Sequence, residues 1–267
     1  MELKKYEDQI CDIDPEIFSE DEYCFSVLQK ILCSECRLTV TDKHRLVICH
    51  SSDPYPVWIW LPDDATESEI TLAYGEARAR FGLGAGGRFN MKHEQANKFI
   101  SLARAEGIAL RVSTNMLAYS AHAPIAPKRA ATGEYRVATN GELDTVVSFM
   151  DAFHKDLGFD KSDLKTYRSR AERLIAEGHL FLWYDGGLAV AMASYDVSGN
   201  KGRVGNVYTR PECRRRGYAA SLVYAITEII AESGNIPTLY TDADYAASNA
   251  CYESIGYVKR GSLCTVE

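Results

Sequence analysis

Apolar residues recur along this chain at two spacings, and the points where one spacing gives way to the other divide it into elements. Phe25, Leu28 and Leu32 stand three and four residues apart, which puts them on one helix face. Thr66 and Glu69 have the spacing of a capping box, in which each side chain answers the other's backbone N–H, and they predict the start of a second helix. Ala96, Phe99, Ile100 and Ala103 predict a third, broken at Gly107 before a strand-like run over residues 108–119. Residues 57–61 read as a strand, and residues 37–49 as a strand pair. The first part of the chain is thus mixed helix and strand.

Downstream, Thr139 and Glu142 repeat the capping-box spacing, and Leu143, Val146, Val147, Met150 and His154 then follow one helix face. Ser162 is expected to cap a helix that turns Leu164, Tyr167, Ala171 and Leu174 inward and ends near Gly178. Two β-runs, 180–184 and 188–197, flank Asp185-Gly186-Gly187, a sequence suited to a tight hairpin turn. A third strand over 204–209 is expected after a loop at 198–202. A helix carrying Ala219, Leu222, Val223, Ile226 and Ile230 follows, then a strand at 237–241, a short helix over 249–254 and a last strand from Tyr257. Residues 121–133 hold two prolines, small residues and a basic pair but no period, and read as a linker. The expected division is an α/β unit at 1–123, a linker at 124–132 and a second, mixed-sheet α/β unit at 133–267.

A length of 267 residues with 46% hydrophobic and 25% charged residues suits two packed units. The net charge of −7 argues against nucleic acid as a partner, because phosphate-backbone binders need Lys and Arg to displace counterions. The first residues, Met1-Glu2-Leu3-Lys4-Lys5-Tyr6, lack the apolar run of a signal peptide, and no stretch approaches the ~20 apolar residues of a membrane span. A cytoplasmic protein without a membrane partner, monomeric or homodimeric, is the expectation. Eight cysteines suit a reducing compartment, where thiols act as small buried hydrophobes without disulfides.

The chemistry concentrates in Val207-Tyr208-Thr209-Arg210-Pro211-Glu212-Cys213-Arg214-Arg215-Arg216-Gly217-Tyr218-Ala219-Ala220, which passes from a strand through a basic loop into a helix. A helix start leaves backbone N–H groups unpaired and carries partial positive charge, so phosphate can bind there, with arginines as further donors. Gly217 keeps bulk out of that approach. Downstream, Ser248-Asn249-Ala250-Cys251-Tyr252-Glu253-Ser254-Ile255-Gly256-Tyr257 places Asn249 and Tyr252 on one helix face.

Taken together, these segments resemble the GNAT superfamily of N-acetyltransferases. Arg214, Gly217 and Ala219 occupy the specified places of its pyrophosphate loop, Gln/Arg-x-x-Gly-x-Gly/Ala. Asn249, Tyr252, Gly256 and Tyr257 match its coenzyme-side helix, Asn-x-x-Tyr-x-x-x-Gly-Phe/Tyr. The resemblance implies a GNAT fold in the C-terminal half and acetyl-CoA as cosubstrate, bound by Val207, Tyr208, Thr209, Arg214, Arg215, Arg216, Gly217, Tyr218, Ala219, Ala220 and Asn249. It also implies direct acyl transfer to an amine of a small molecule or peptide, with Tyr252 donating a proton to the leaving thiolate; a phenol's ordinary pKa of about 10 keeps it protonated near neutrality. The Glu that members often carry on the strand over 204–209 is missing, so the base is Asp242 or water. Members often read Asp-Asn-Pro-Thr-Ser-Asn before the coenzyme-side helix, where this chain has Asp244-Tyr245-Ala246-Ala247-Ser248-Asn249. The first half resembles the degenerate amino-terminal domain of bacterial two-domain members. A fragment over 133–267 holds every cofactor motif and is expected to bind acetyl-CoA.

Other patterns point elsewhere. Gly82, Gly84 and Gly87 satisfy Gly-x-Gly-x-x-Gly but follow a helix-like segment, whereas the dinucleotide fingerprint follows a strand. Cys33, Cys36, Cys49 and His50 suggest zinc by spacing, yet adjacent Cys49 and His50 would face opposite sides of a strand, and no metal is expected. His154 and His179 read as packed residues, and direct transfer requires no nucleophile from Cys251. The rival functions are acyl transfer of a longer chain or to glycine, and a non-catalytic acetyl-CoA sensor, which would not need Tyr252.

Overall fold

The computed structural model describes residues 2–34, 36–84, 86–156 and 163–267, with Cys36 described by its backbone only. In chain order the elements begin β1 (Lys4–Gln9), α1 (Ser26–Leu32), β2 (Cys36–Thr41), β3 (Val47–His50), β4 (Val57–Trp60), α2 (Glu67–Phe81), β5 (Phe89–Met91), α3 (His93–Ala105) and β6 (Val112–Ser120). There follow β7 (Glu134–Val137), α4 (Leu143–Asp156), α5 (Leu164–Ala176), β8 (Leu180–Asp185) and β9 (Leu188–Ser198). The chain closes with β10 (Lys201–Thr209), α6 (Tyr218–Glu232), β11 (Ile236–Asp242), α7 (Ala246–Ser254) and β12 (Val258–Val266). Two compact units share these elements: residues 1–118, 241–245 and 259–267 form one, and residues 119–240 and 246–258 the other. The division is discontinuous, whereas the sequence suggested a linear one.

In the first unit the strands lie in the order β1-β2-β3-β4-β5-β12-β6. The end of the chain is built into this sheet: Cys264 pairs with Met91, Thr265 with Asn90 and Val266 with Phe89. Cys264 and Val266 are wholly buried there among Ile48, Ile59, Phe89 and Phe99. The helices form where their caps direct. Thr66 N–H donates to Glu69 Oε2 at 2.7 Å and Glu69 N–H to Thr66 Oγ1 at 3.3 Å, which makes the capping box at the start of α2. Near the zinc-like pattern, His50 Nε2 lies 3.0 Å from the Tyr55 carbonyl and its ring meets Phe81 edge-on, while Cys33 is exposed and Cys49 buried. Among the described residues, no group of His, Cys, Asp or Glu is arranged to hold a metal ion. No described helix is long and apolar enough to cross a membrane.

The second unit is a sheet in the order β11-β10-β9-β8-β7, antiparallel except for the parallel β10–β11 pair. Val146, Phe149, Met150, Tyr167, Ala171 and Leu174 of α4 and α5 bury against Leu180, Leu182, Met192 and Tyr208. The other face takes α6, so closely that a Cβ on Gly202 of β10 would collide with Ile230. Gly202 and Tyr208 are six residues apart and would share a face in a regular strand, yet they point to opposite layers. The cause is a β-bulge between Gly205 and Tyr208, where Asn206 adopts φ 51° and donates from Nδ2 to Ser194 Oγ at 2.7 Å.

Three local expectations change. The turn between β9 and β10 is tighter than the expected loop, because Ser198 pairs with Lys201. Leu164 is 58% exposed and not inward, since it stands in the first turn of α5. Asp163 caps α5 by accepting the Thr166 N–H at 2.7 Å, and Ser162, expected in that role, lies outside the described residues.

Residues 121–133, expected as a linker, belong to the second unit and are anchored to the rest of it at several points. Ala121 N–H donates to the Pro237 carbonyl and Ile125 N–H to the Ile255 carbonyl, both at 2.9 Å. Ala131 N–H donates to Ser221 Oγ at 3.2 Å, and Trp183 Nε1 donates to the Thr132 carbonyl at 2.8 Å. Just before this strap, Tyr119, buried to 1%, donates its phenol proton to Glu253 on α7 at 2.9 Å.

Candidate active site

The second unit brings together three pieces of backbone that a ligand could use. The first is the C-terminal half of β10. Its parallel pairing with β11 runs from Lys201↔Ile236 to Val204↔Leu239, and the bulge follows immediately, while β10 continues to Thr209 on β9 alone. A strand that leaves its neighbour midway presents amides and carbonyls to an extended ligand. By alternation from Tyr208, Val207 and Thr209 point to the α6 face. Thr209 Oγ1 is buried there without a hydrogen-bond partner among the described residues. Tyr208 itself packs on Phe149 with ring centroids 5.3 Å apart, so its side chain is turned away from the α6 face, and burial raises its phenol pKa.

The second piece is the loop from Arg210 to Gly217. Arg210 anchors it: its N–H donates to the Val190 carbonyl, its Nε to the Ala189 carbonyl at 2.8 Å, and its guanidinium lies 4.7 Å from the centre of the Phe149 ring. Arg214 is also engaged, through Nε to the Thr209 carbonyl at 3.1 Å and through an ion pair with Asp156 at the end of α4. Its side chain positions the loop, a role the sequence motif does not distinguish from ligand binding. Arg215 and Arg216 are exposed. Arg215 holds φ 63°, a conformation that costs a non-glycine residue about 1–2 kcal/mol and that an unconstrained surface loop would avoid.

Gly217 caps α6 at φ 86°, ψ 0°. A Cβ there would meet only the Arg129 carbonyl at 3.8 Å and Ala131 at 3.9 Å, so the conformation requires glycine more than the space does. The first intrahelical bond of α6 runs from Ser221 N–H to the Gly217 carbonyl at 3.0 Å. The amides of Tyr218, Ala219 and Ala220 therefore precede the hydrogen-bonded ladder and favour an anion. The side chain of Tyr218 is buried and its phenol bonds to Asp185.

The third piece is α7, which packs against α6 and carries Asn249 and Tyr252 one turn apart. Tyr252 is buried, and its ring meets Tyr257 edge-on with centroids 6.1 Å apart. Tyr257 is fixed in turn, with its hydroxyl 2.9 Å from Thr227 Oγ1 on α6. The Ile255 and Tyr257 amides both donate to the Tyr252 carbonyl, at 3.2 and 3.1 Å, and close the helix. Cys251 beside it has its thiol pKa raised by burial, which disfavours the thiolate.

Every proposed cofactor contact thus falls in one compact unit. Asp242 belongs to the other, where its Oδ1 accepts the Asp244 N–H at 2.8 Å. Sequence reasoning missed the strap, which passes beside a glycine of each motif. A Cβ on Gly256 would stand 2.5 Å from the Ala123 carbonyl, and the Arg129 carbonyl is the nearest atom to a Cβ on Gly217.

Residues 184–266 match the family model described as FR47-like protein. No curated protein matches the chain. Among solved structures, the chain is similar to a GCN5-related N-acetyltransferase from Sphaerobacter thermophilus, at 14% identity and TM-score 0.69 over 99% of this chain and 94% of that one. It is similar to a GCN5-related N-acetyltransferase from Kribbella flavida at 16% identity and TM-score 0.63, covering 90% of this chain and 91% of that one. A GNAT-family acetyltransferase from Colwellia psychrerythraea aligns over 100% of this chain and 98% of its own, at 13% identity and TM-score 0.61.

Proposed function

Because the chain has the fold of the GNAT superfamily, with an FR47-like segment over residues 184–266, we propose that it is an acetyl-CoA-dependent N-acetyltransferase acting on an amine of a small molecule or peptide. The observation that carries this reading is the coincidence, at the end of β10, of a strand that leaves its parallel neighbour at a bulge with a basic loop opening a helix. A long ligand with a diphosphate at one end and an amide-bearing arm at the other fits that pair of features. The buried Thr209 Oγ1 offers a further polar contact between them.

In this reading the amides of Tyr218, Ala219 and Ala220, with Arg215 and Arg216, hold the diphosphate, and the backbone of Val207 to Thr209 bonds the pantetheine arm as an added strand. Arg214 keeps the loop in place through Asp156 and the Thr209 carbonyl. Bound acetyl-CoA supplies an activated thioester carbonyl and a thiolate leaving group. Tyr252 holds its phenolic proton for the departing sulfur, with Asn249 on the same helix face. The acceptor amine loses its proton to water or to a base that the motifs do not name. Titration calorimetry with acetyl-CoA, followed by a screen for free thiol over polyamines, amino acids, aminoglycosides and peptide N-termini, tests the proposal. Binding followed by thiol release with one acceptor class is the expected result; a protein that binds no acetyl-CoA would end this reading.

A further inference from the structure

The basic pair Lys128-Arg129 lies on the strap, and the strap is tied down on both sides of it. Ile125 N–H bonds the end of α7 at 2.9 Å, and Ala131 N–H bonds Ser221 in the first turn of α6 at 3.2 Å. The Arg129 carbonyl lies 3.8 Å from the Cβ position of Gly217, the capping residue of the phosphate loop. Two glycine positions show that the strap is fitted to the unit. At Gly256 a Cβ would press on the Ala123 carbonyl, and at Gly133 a Cβ would collide with the Tyr184 carbonyl. Lys128 and Arg129 are both exposed, as are Arg214, Arg215 and Arg216 of the loop. In a chain of net charge −7, the strap thus carries a basic pair along the backbone that borders a loop already holding three arginines.

We infer that the strap forms one wall of the coenzyme-phosphate site, and that Lys128 and Arg129 bind phosphate groups of the acyl-CoA. The inference rests on the acetyl-CoA reading above and adds to it a segment outside both sequence motifs. Fixing the Arg129 backbone beside Gly217 puts two long cationic residues on the stretch of chain that borders the start of α6. Cations that reach within the screening length of ordinary buffer, about 8–10 Å, add their charge to that of the helix end. Anchoring at Ala121, Ile125, Ala131 and Thr132 then has a use, because movement of this segment would carry two phosphate ligands away from the loop.

The test uses the full-length protein with Lys128→Ser and Arg129→Ser together. Charge-assisted contacts at exposed positions predict that the dissociation constant for acetyl-CoA rises roughly 5–50-fold at low ionic strength, with a smaller difference in high salt. Thermal stability should be unchanged, because both side chains are exposed. Arg136→Ser with Arg168→Ser is the control for charge alone: each is exposed and paired with its own acid, Glu134 and Asp144. Repeating the titrations with 3′-dephospho-CoA assigns the contact. Loss of the difference places the pair on the 3′-phosphate, and its retention places it on the diphosphate. Wild-type affinity in the strap variant, or equal weakening in the control, overturns the inference and leaves the acetyl-CoA reading standing. A wild-type protein that binds no acetyl-CoA overturns both.

Discussion

Gly256→Ala probes the packing of the strap on α7 with a single methyl group. Gly256 has φ 97°, and a Cβ there would stand 2.5 Å from the Ala123 carbonyl, 3.1 Å from the Ile125 amide and 3.3 Å from the Ile125 side chain. The left-handed conformation alone costs an alanine about 1–2 kcal/mol. The contacts add to this, because two of the three opposing atoms belong to backbone that cannot rotate away. Retreat of the strap breaks the bond from Ile125 N–H to the Ile255 carbonyl, a net loss of about 0.5–1.5 kcal/mol. Together the substitution should destabilise by about 2–4 kcal/mol. The control is Gly234→Ala, at φ 81° with nothing within 4 Å of its Cβ, which carries the conformational part alone. Melting temperatures followed by circular dichroism should separate the two variants by roughly 2–6 °C, with Gly256→Ala the lower. Equal losses would refute the argument that the strap is pressed against the end of α7.

The remaining expectations follow from other contacts. Arg214→Ala and Asp156→Asn should each weaken acetyl-CoA binding modestly, and the double variant should lose less than their sum, with a coupling of about 0.5–1 kcal/mol; additive losses in calorimetry would mean that the ion pair does not position the loop. Glu69 has its pKa lowered to about 2, chiefly by the Arg45 guanidinium. A depressed carboxylate pKa stabilises the fold above the unfolded value of about 4.5 and loses that contribution as pH falls toward 2, so Glu69→Gln should flatten the stability profile in that window. Urea melts of the two proteins across pH 2–6 check this, and parallel profiles would contradict it. A fragment over residues 133–267, expected from its motifs to bind acetyl-CoA, should instead fail to unfold cooperatively. It lacks β5, to which residues 264–266 pair, and nearly all of the strap, so a sharp thermal transition in the isolated fragment would contradict the placement of β12.

Elements with one buried face were legible in the sequence, because burial imposes the spacing that is read. The helices at α3, α4 and α6 and the hairpin of β8 and β9 follow from alternation and caps. Edge strands left no such record: β7 is exposed at all four residues, and β1 is exposed at five of six. β5 is three residues long, too short for a period to appear. The bulge at Asn206 depends on a backbone reversal that its side chain does not announce, and the pairing of β12 with β5 joins residues about 170 positions apart. The strap has no period because its bonds run from backbone amides and carbonyls to scattered partners. The motif residues of the site were legible by spacing, but the roles within the loop were not. The partners Asp156 and the Thr209 carbonyl distinguish Arg214 from Arg215 and Arg216.

The most direct test of the account is the rate of thiol release from acetyl-CoA by Tyr252→Phe, measured beside its dissociation constant for acetyl-CoA with the acceptor that the wild type uses. The substitution removes one hydroxyl and keeps the ring that packs on Tyr257. A general acid of this kind contributes about 10²–10⁴ in rate and little to ground-state binding, so turnover should fall by about that factor while affinity stays near wild type. Wild-type turnover across a pH series would contradict the role given to Tyr252 and, with it, the chemistry proposed for the site.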